Sequence, residues 1–561
     1  MPGPISLLSL ATQSLLAAQL AQQTAAANAA NAATPGFSRR RVDFTEGVPE
    51  RTASGFVGTG VLVKQIRRIR DSFLDSQVRA DSSALAEAGT RATVLNRIGS
   101  IFGVLEDNPV GQALDEFFTA LGDLASRPED PAFRTTVLIR GQTLATTFKE
   151  EVESLLQIKR ETFFSLGDQV NEVNSVTAQI ARLNSQLTGG SNPTRDDERD
   201  RLIDRLAELV GVRVSVDSNG VAQVVLAGSG MLLVDGVRAA TLTLSGNPES
   251  GSATLDLDGN TIQSLSGEVG ALLSLRNSST NGIPLVVGEV NTLAAGVIHA
   301  VNRVHASGVG LVGLSSATSG HQVSAPTTPL GSAGLPVTPV TGSFTIAVFD
   351  SAGAMASSGS IAVDPATTTL NSLATDITAV AGLSASVSGN TLTITPTNPT
   401  DTVVFGTDTS DTLVALGLNR FFAGTDARTM AVDSTLLGNP SLVAAAQLDL
   451  AGGIFSPGDP SNAQALAGLQ SSRFLAGNTQ TPAESLAALA GTIGALDRAA
   501  QVDTAAREVI LTASTAQRES VSGVSLDEEL ADMVRFQQAF EASARFLATL
   551  NEMSRTLFDL L

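Results

Sequence analysis

The densest cluster of groups capable of chemistry is Asp196, Asp197, Glu198 and Asp200, just after Asn192-Pro193. Carboxylates this close invite a metal ion or an acid–base pair. Asn-Pro, however, reads as an N-cap followed by proline at the first helical position. Most of the carboxylates then fall in the first turns of a helix, where negative charge offsets the dipole. Asp256-x-Asp258-Gly259-Asn260 lacks the glycine position and distal glutamate of a calcium loop. The three histidines are His299, His305 and His321. His299 and His305 lie six apart, a poor match to one helical face, and no Ser/His/Asp arrangement can be assembled. Asp350, Asp364, Asp376 and Asp401 offer carboxylates to a glycan hydrolase, but none sits in a recognisable motif. No catalytic, cofactor-binding or metal-binding residue is expected, and hydrolysis stands as a remote alternative.

The basic clusters are Arg39-Arg40-Arg41 and Arg67-Arg68-x-Arg70. They lack interleaved aromatics, so solvated faces or ion pairs between subunits are expected rather than nucleic acid. A net charge of −20 also argues against a nucleic-acid backbone as partner. Gly58-Thr59-Gly60 is short of a dinucleotide fingerprint and reads as a turn. With no cysteine, the chain has neither disulfides nor thiolate metal sites. Its first residues hold no Lys or Arg before the first apolar run, so no secretory signal peptide is expected. No run of 18 apolar residues exists, so no membrane insertion is expected.

With chemistry weakly represented, the strongest signals are the elements at the two ends. From Ile5 to about Ala30 the chain is rich in Ala, Leu and Gln, and Ile5, Leu8, Ala11, Leu15 and Ala18 form a stripe. It stops at a Pro-Gly turn in Asn31-Ala32-Ala33-Thr34-Pro35-Gly36-Phe37. Near the other end, Ser525 is a plausible N-cap, and Asp527, Glu528 and Glu529 load the first turn with negative charge. Leu526, Leu530, Met533, Phe540, Ala544 and Leu547 then recur at three- and four-residue steps, with Gln537 as the one polar member. Two such stripes predict paired terminal helices, with everything between them looped outward.

Between them, helices are predicted from Asp71 to Leu187, the last running unbroken from Pro131. A small hairpin excursion follows, with its turn at Asn219-Gly220. Ala271 to Ala306 reads as one helical segment. Phe344, Ile346, Val348, then Ala385, Val387, Leu392 and Ile394, alternate as strands. Thr481-Pro482-Ala483-Glu484 is a capping box, and its helix should run on towards the terminal stripe, with Gly523 as a possible interruption. The fold class is mainly α with an inserted β domain, on a discontinuous elongated helical stem built from both termini. The expected domains are 1–64 with 521–561 (inner coiled-coil layer), 65–307 with 426–520 (helical, including the β excursion 211–266), and 308–425 (outer, β-rich).

Asn28-x-x-Asn31-x-x-Thr34-Pro35-Gly36-Phe37-Ser38-Arg39, after an Ala/Gln/Leu helix, resembles the signature of the bacterial flagellar rod, hook and hook-associated protein family. Ser522-Gly523-Val524-Ser525-Leu526-Asp527-Glu528-Glu529 and Arg535-Phe536-Gln537-Gln538-Ala539-Phe540 are similar to the family's other end. Asp130-Pro131-Ala132-Phe133-Arg134, Arg199 to Asp204, Gly267 to Arg276 and Gly458 to Leu466 extend the likeness in the family's order. The resemblance implies a structural, non-enzymatic component of the flagellum. Its place is the junction joining hook to filament, outside the cell, and it leaves by the flagellar type III export apparatus without a cleaved signal. Implied partners are further copies in a homo-oligomeric ring, the hook protein, a second junction protein on the filament side and a flagellar export chaperone. Implied assembly residues are Ile5, Leu8, Leu15, Asn28, Asn31, Pro35, Gly36 and Phe37 at one end. At the other they are Leu526, Leu530, Met533, Phe536, Phe540, Leu547 and Leu550. Leu526, Leu530, Met533, Phe540 and Leu547 are also candidate chaperone contacts. A hook or filament subunit is the nearer alternative. One chain cannot easily bury both stripes alone, so burial between subunits is the expected driver of assembly, and the termini should order as it proceeds.

Overall fold

A computed structural model describes every residue except 1–3, 53–54, 103–107, 188–191, 218, 454–455 and 560–561. Its helices are α1 (Pro4–Ala30), α2 (Ser72–Ile101), α3 (Pro109–Ser126), α4 (Pro131–Leu187), α5 (Pro193–Val210), α6 (Gly267–Asn277) and α7 (Ile283–Ala306). After these come α8 (Leu370–Thr378), α9 (Thr412–Leu416), α10 (Ser434–Gly438), α11 (Ser461–Gly468), α12 (Pro482–Ser522) and α13 (Leu526–Asp559). The predicted continuous helix from Pro131 is present as α4, whose 57 residues span about 86 Å. Asn108 and Asn192 cap α3 and α5 through their side-chain oxygens, with proline following each. The Thr481–Glu484 box is reciprocal: Glu484 N–H donates to Thr481 Oγ1 (3.1 Å) and Thr481 N–H to Glu484 Oε2 (2.9 Å).

The chain divides into two compact units. The first comprises residues 1–93, 162–276 and 499–561. Here β1 (Arg40–Glu46) pairs antiparallel with β4 (Val61–Arg68), and β2 (Glu50–Thr52) with β3 (Gly55–Val57). The predicted excursion is a four-stranded sheet of β5 (Val212–Val216), β6 (Ala222–Leu226), β7 (Leu232–Asp235) and β8 (Arg238–Ala239). Beside it in sequence is a three-stranded sheet of β9 (Leu242–Ser245), β10 (Thr254–Leu257) and β11 (Asn260–Thr261). Two asparagines on α4 act as extra strand partners. Asn174 exchanges both hydrogen bonds with the Leu242 backbone at 2.8 Å, and fully buried Asn184 donates to the carbonyls of Ala222 and Gly236. Asn174 holds the edge strand β9, and Asn184 bridges the start of β6 to the β7–β8 turn; each pairs backbone groups that no strand satisfies.

The second unit comprises residues 94–161 and 277–498. Its β module holds β12 (Gly308–Val309), β13 (Ala317–Thr318), β14 (Gly342–Phe349), β15 (Met355–Val363), β16 (Leu383–Ser388), β17 (Thr391–Pro396) and β18 (Thr402–Asp408). The sheets run β15-β14-β18 and β13-β17-β16, and share a core of Phe344, Ile346, Leu373, Ile377, Leu392 and Phe405 with α8. Its base is fastened by buried polar side chains. Arg134 donates to the carbonyls of Pro128 and Val443. His305 holds Asn419 O through Nδ1 (2.8 Å) and accepts the Ala444 N–H at Nε2 (3.0 Å). Asn302 accepts from the N–H groups of Phe421 and Phe422, whose rings meet Phe117 at 5.4 and 5.5 Å.

Two readings need correction. The segment 271–306 is two helices, because Ser278 to Gly282 turns and Pro284 restarts the chain as α7. The helix from Pro482 is interrupted before the terminal one, at the Gly523 position allowed for. It ends at Ser522, where a Cβ on Gly523 would collide with the Glu519 carbonyl. Strands β15 and β18 were not expected, since the Ser/Gly content of β15 hides its period. By length and composition α7 is apolar enough to cross a membrane. Val290, Leu293, Val297 and Val301 are nevertheless buried in the protein, which accounts for that apolarity.

Candidate functional site

The site is where the two ends of the chain meet in the first unit. α1 packs along α13. Its buried positions are Ala11, Ala17, Ala18, Ala21, Thr24, Ala25 and Asn28, and small side chains allow a helix partner close approach. Leu15 is half-buried and Leu8 exposed, while the side chain of Ile5 lies outside the described residues. On α13 Glu529 and Leu550 are buried and Asp532, Met533, Phe536, Phe540, Ser543, Ala544, Leu547 and Ser554 half-buried; Glu529, Met533, Phe536, Phe540, Ser543, Leu547, Leu550 and Ser554 follow a heptad seam. The Phe536 ring sits 6.5 Å from Phe44 of β1.

This seam is shifted from the predicted stripe. Met533, Phe540 and Leu547 belong to it and Ala544 lies half-buried beside it, but Phe536 takes the place assigned to Gln537. Leu526 and Leu530 stand off it, 52% and 55% exposed. The cause is Glu529, a carboxylate only 2% exposed, which apolar periodicity cannot place in a seam. Two partners make its burial possible. Asn28 donates Nδ2 to Glu529 Oε2 at 3.0 Å, and Arg39 Nε donates to Oε1 at 2.6 Å. Asn28 also closes on the Arg40 backbone, accepting its N–H at 3.0 Å and donating to its carbonyl at 2.8 Å. Arg39 reaches Glu528 at 2.7 Å and donates its own N–H to the Ser522 carbonyl. Burial works against the Arg39 charge, but Glu528 and Glu529 outweigh it and hold its pKa above the ordinary value.

The remaining motif residues shape the loop. Asn31 is local: its Nδ2 donates to Ala27 O at 2.8 Å, ending α1. Pro35 is exposed and Gly36 takes φ +78°, a conformation other L-residues resist. Half-buried Phe37 lies under the Arg40 guanidinium at 4.9 Å. The loop faces residues 518–525 across a cavity of about 640 Å³.

Much of the carboxylate cluster and of the two arginine clusters pairs within one chain, while Arg41 and Glu198 are exposed. Asp200 takes Arg68 at 2.7 Å and Arg70 at 2.5 Å, with Arg79 at 3.6 Å. Asp197 takes Arg68 (3.0 Å) and Arg40 (3.3 Å), and Asp204 takes Arg79 at 2.6 Å. Burial would raise the Asp200 pKa, but the charges of Arg70 and Arg68 outweigh it and hold it below the ordinary carboxylate value. The network pins the β1–β4 hairpin to α5 and α2, and so sets the position of Arg39 against Glu529. Sequence reasoning missed this network. The available signal was the matching count of arginines and aspartates in two runs far apart in the chain.

The candidate enzyme residues are not assembled into a site. Asp350, Asp364 and Asp401 accept hydrogen bonds within their own turns, and Asp376 is exposed on α8. His305 is wholly buried at the β module's base, and His321 Nδ1 lies 2.9 Å from Ala415 O.

Residues 95–320 match a family model described as the flagellar hook-associated protein FlgK helical domain. Residues 516–560 match one described as flagellar basal body rod FlgEFG protein C-terminal. The chain is 28% identical over 584 residues to flagellar hook-associated protein 1 of Escherichia coli (strain K12), covering 99% of this chain and 100% of that one. It is 26% identical over 575 residues to the protein of the same name from Salmonella typhimurium (strain LT2), with the same coverage. With that of Bacillus subtilis (strain 168) it shares 34% over 226 residues, 38% of this chain and 44% of the relative. The solved structure of the flagellar hook junction protein FlgK from Burkholderia pseudomallei is similar at a TM-score of 0.52 and 19% identity, over 81% of this chain and all of that one. That likeness is one of fold.

Proposed function

We propose that the chain is a member of the flagellar hook-associated protein family and serves as a structural component where hook meets filament. The observation that carries the role is the full-length likeness to hook-associated protein 1, end to end in both chains. The match of residues 95–320 to the hook-associated helical domain favours a junction protein over a hook or filament subunit.

In this reading the chain sits in a homo-oligomeric ring, with the hook protein below and a second junction protein above. It travels through the flagellar type III export apparatus and works outside the cell. The Asn28–Glu529–Arg39 closure gives each copy a defined terminal layer, and the apolar surface left exposed supplies the drive to assemble. The seam and the ridge beside it, from Leu526 to Leu547, are candidate contacts for an export chaperone before assembly. Antibody-gold labelling of isolated flagella tests the placement. A single band at the distal end of the hook is expected; label along the hook or filament would overturn it.

A further inference from the structure

The first unit carries an apolar groove and an apolar ridge that share no residue. The groove, of about 440 Å³, is lined by Leu16, Ala17 and Leu20 of α1 and by Val61, Leu62 and Val63 of β4, together with Gln13, Gln19 and Gln23. Leu16 is 56% exposed within it. The ridge is Leu526, Leu530 and Val534, spaced four residues apart on α13 and more than half exposed. It spans about 12 Å along the helix. Neither surface is used in the closure of Asn28 on Glu529, and exposed leucines grouped in this way mark an interaction surface.

Charge beside the two surfaces is complementary. Lys64 adjoins the groove in β4, exposed and outside every ion pair of the described residues. Asp527 adjoins the ridge at the start of α13, likewise exposed and unpaired among them. Each surface is largely apolar, and the two are bordered by charges of opposite sign. We propose that the Leu526–Leu530–Val534 ridge of one copy seats in the Leu16–Leu62 groove of the next, with Asp527 near Lys64. Because groove and ridge are different surfaces, the contact is head-to-tail. Such a contact closes into a ring or runs on as a helix, and does not stop at a two-fold dimer. The inference rests on the junction reading and names the mating surfaces within it.

The absence of cysteine makes the test direct. Leu16→Cys, Leu530→Cys and the double variant replace the chain in cells, and isolated hook–filament structures are mildly oxidised. The double variant is expected to give a ladder of cross-linked oligomers and each single variant none. Filament growth is scored in the same preparation. Normal filaments without a ladder, or cross-links within a single variant, overturn the groove–ridge contact and leave the junction role intact. Should the cysteines themselves stop filament growth, a charge exchange decides. Lys64→Glu and Asp527→Lys are each expected to reduce motility several-fold and to recover when combined in one chain. Failure of the combination to recover overturns the contact. Cross-linking of Leu530→Cys to a chaperone in the cytoplasm, with no ladder in assembled flagella, also does so.

Discussion

Asn28 and Glu529, separated by 501 positions in the chain, share a buried hydrogen bond of 3.0 Å. That bond joins the start of the molecule to its end. It is supported from the other side by Arg39, so removing either partner strands the carboxylate away from water. Asn28→Ala is expected to cost about 1–3 kcal/mol, the penalty for a buried polar group losing its partner. Glu529→Gln should cost a similar amount, and the double variant less than the sum. Denaturant unfolding followed by hydrogen exchange in α13 checks this; strict additivity would mean that the two residues act independently.

Asp200 is the hub of the arginine network, and its removal leaves three guanidinium groups short of a counter-charge. Asp200→Asn is expected to destabilise the first unit by about 3–5 kcal/mol, as breaking a buried pair does. Its folded pKa is depressed, so the stability it contributes is present above the unfolded value near pH 4. That contribution is lost as pH falls through the lower folded one. Acid unfolding of the variant should therefore show a weaker dependence on pH below about 4.

These pairings separate what the residues announce from what they conceal. The helices were legible because caps, prolines and three–four spacing are local: Asn108-Pro109, Asn192-Pro193 and Thr481-Pro482 each mark a start. The hairpin at Asn219-Gly220 was legible for the same reason. The seam register was not, because Glu529 enters it as a buried charge whose partners lie at residues 28 and 39. The roles of Asp197 and Asp200 were hidden likewise, since arginines 68 and 70 come close only after the chain folds back. Asn28 was legible as part of a motif, while its partner was read only as a charge on a helix dipole.

The second unit contains two titrating groups that work in opposite directions. Burial raises the Glu151 carboxyl to about 7. Its effect on stability is therefore largest below about pH 4.5 and is lost as pH rises through 7. Burial lowers His305 to about 4, and its Nε2 accepts the Ala444 N–H. The unfolded state then binds the extra proton between about pH 4 and 6.5, and stability rises with pH across that window. Glu151→Gln should remove the loss between about pH 4.5 and 7, gaining up to about 2–3 kcal/mol at pH 8 relative to the parent, and unmask the His305 rise from about pH 4 to 6.5 that this loss offsets in the parent. Thermal unfolding across pH 4 to 9 checks both signs.

The seam and the ridge of α13 should separate by experiment. Leu550 is buried, so Leu550→Ala should cost about 2–5 kcal/mol. Leu530 is exposed, so Leu530→Glu should change stability by no more than about 0.5 kcal/mol. If the ridge meets an export chaperone, the same Leu530→Glu chain should lose chaperone binding while melting normally. Retained binding would remove Leu530 from the chaperone contacts.

The central claim is that this chain joins hook to filament. Its most direct test is electron microscopy of a strain lacking the chain, with the culture medium assayed for filament protein. The account predicts complete hooks without filaments and unpolymerised filament protein in the medium, both reversed when the chain is restored. Missing hooks would place the protein further in, among rod or hook components, and normal working filaments would contradict the account outright.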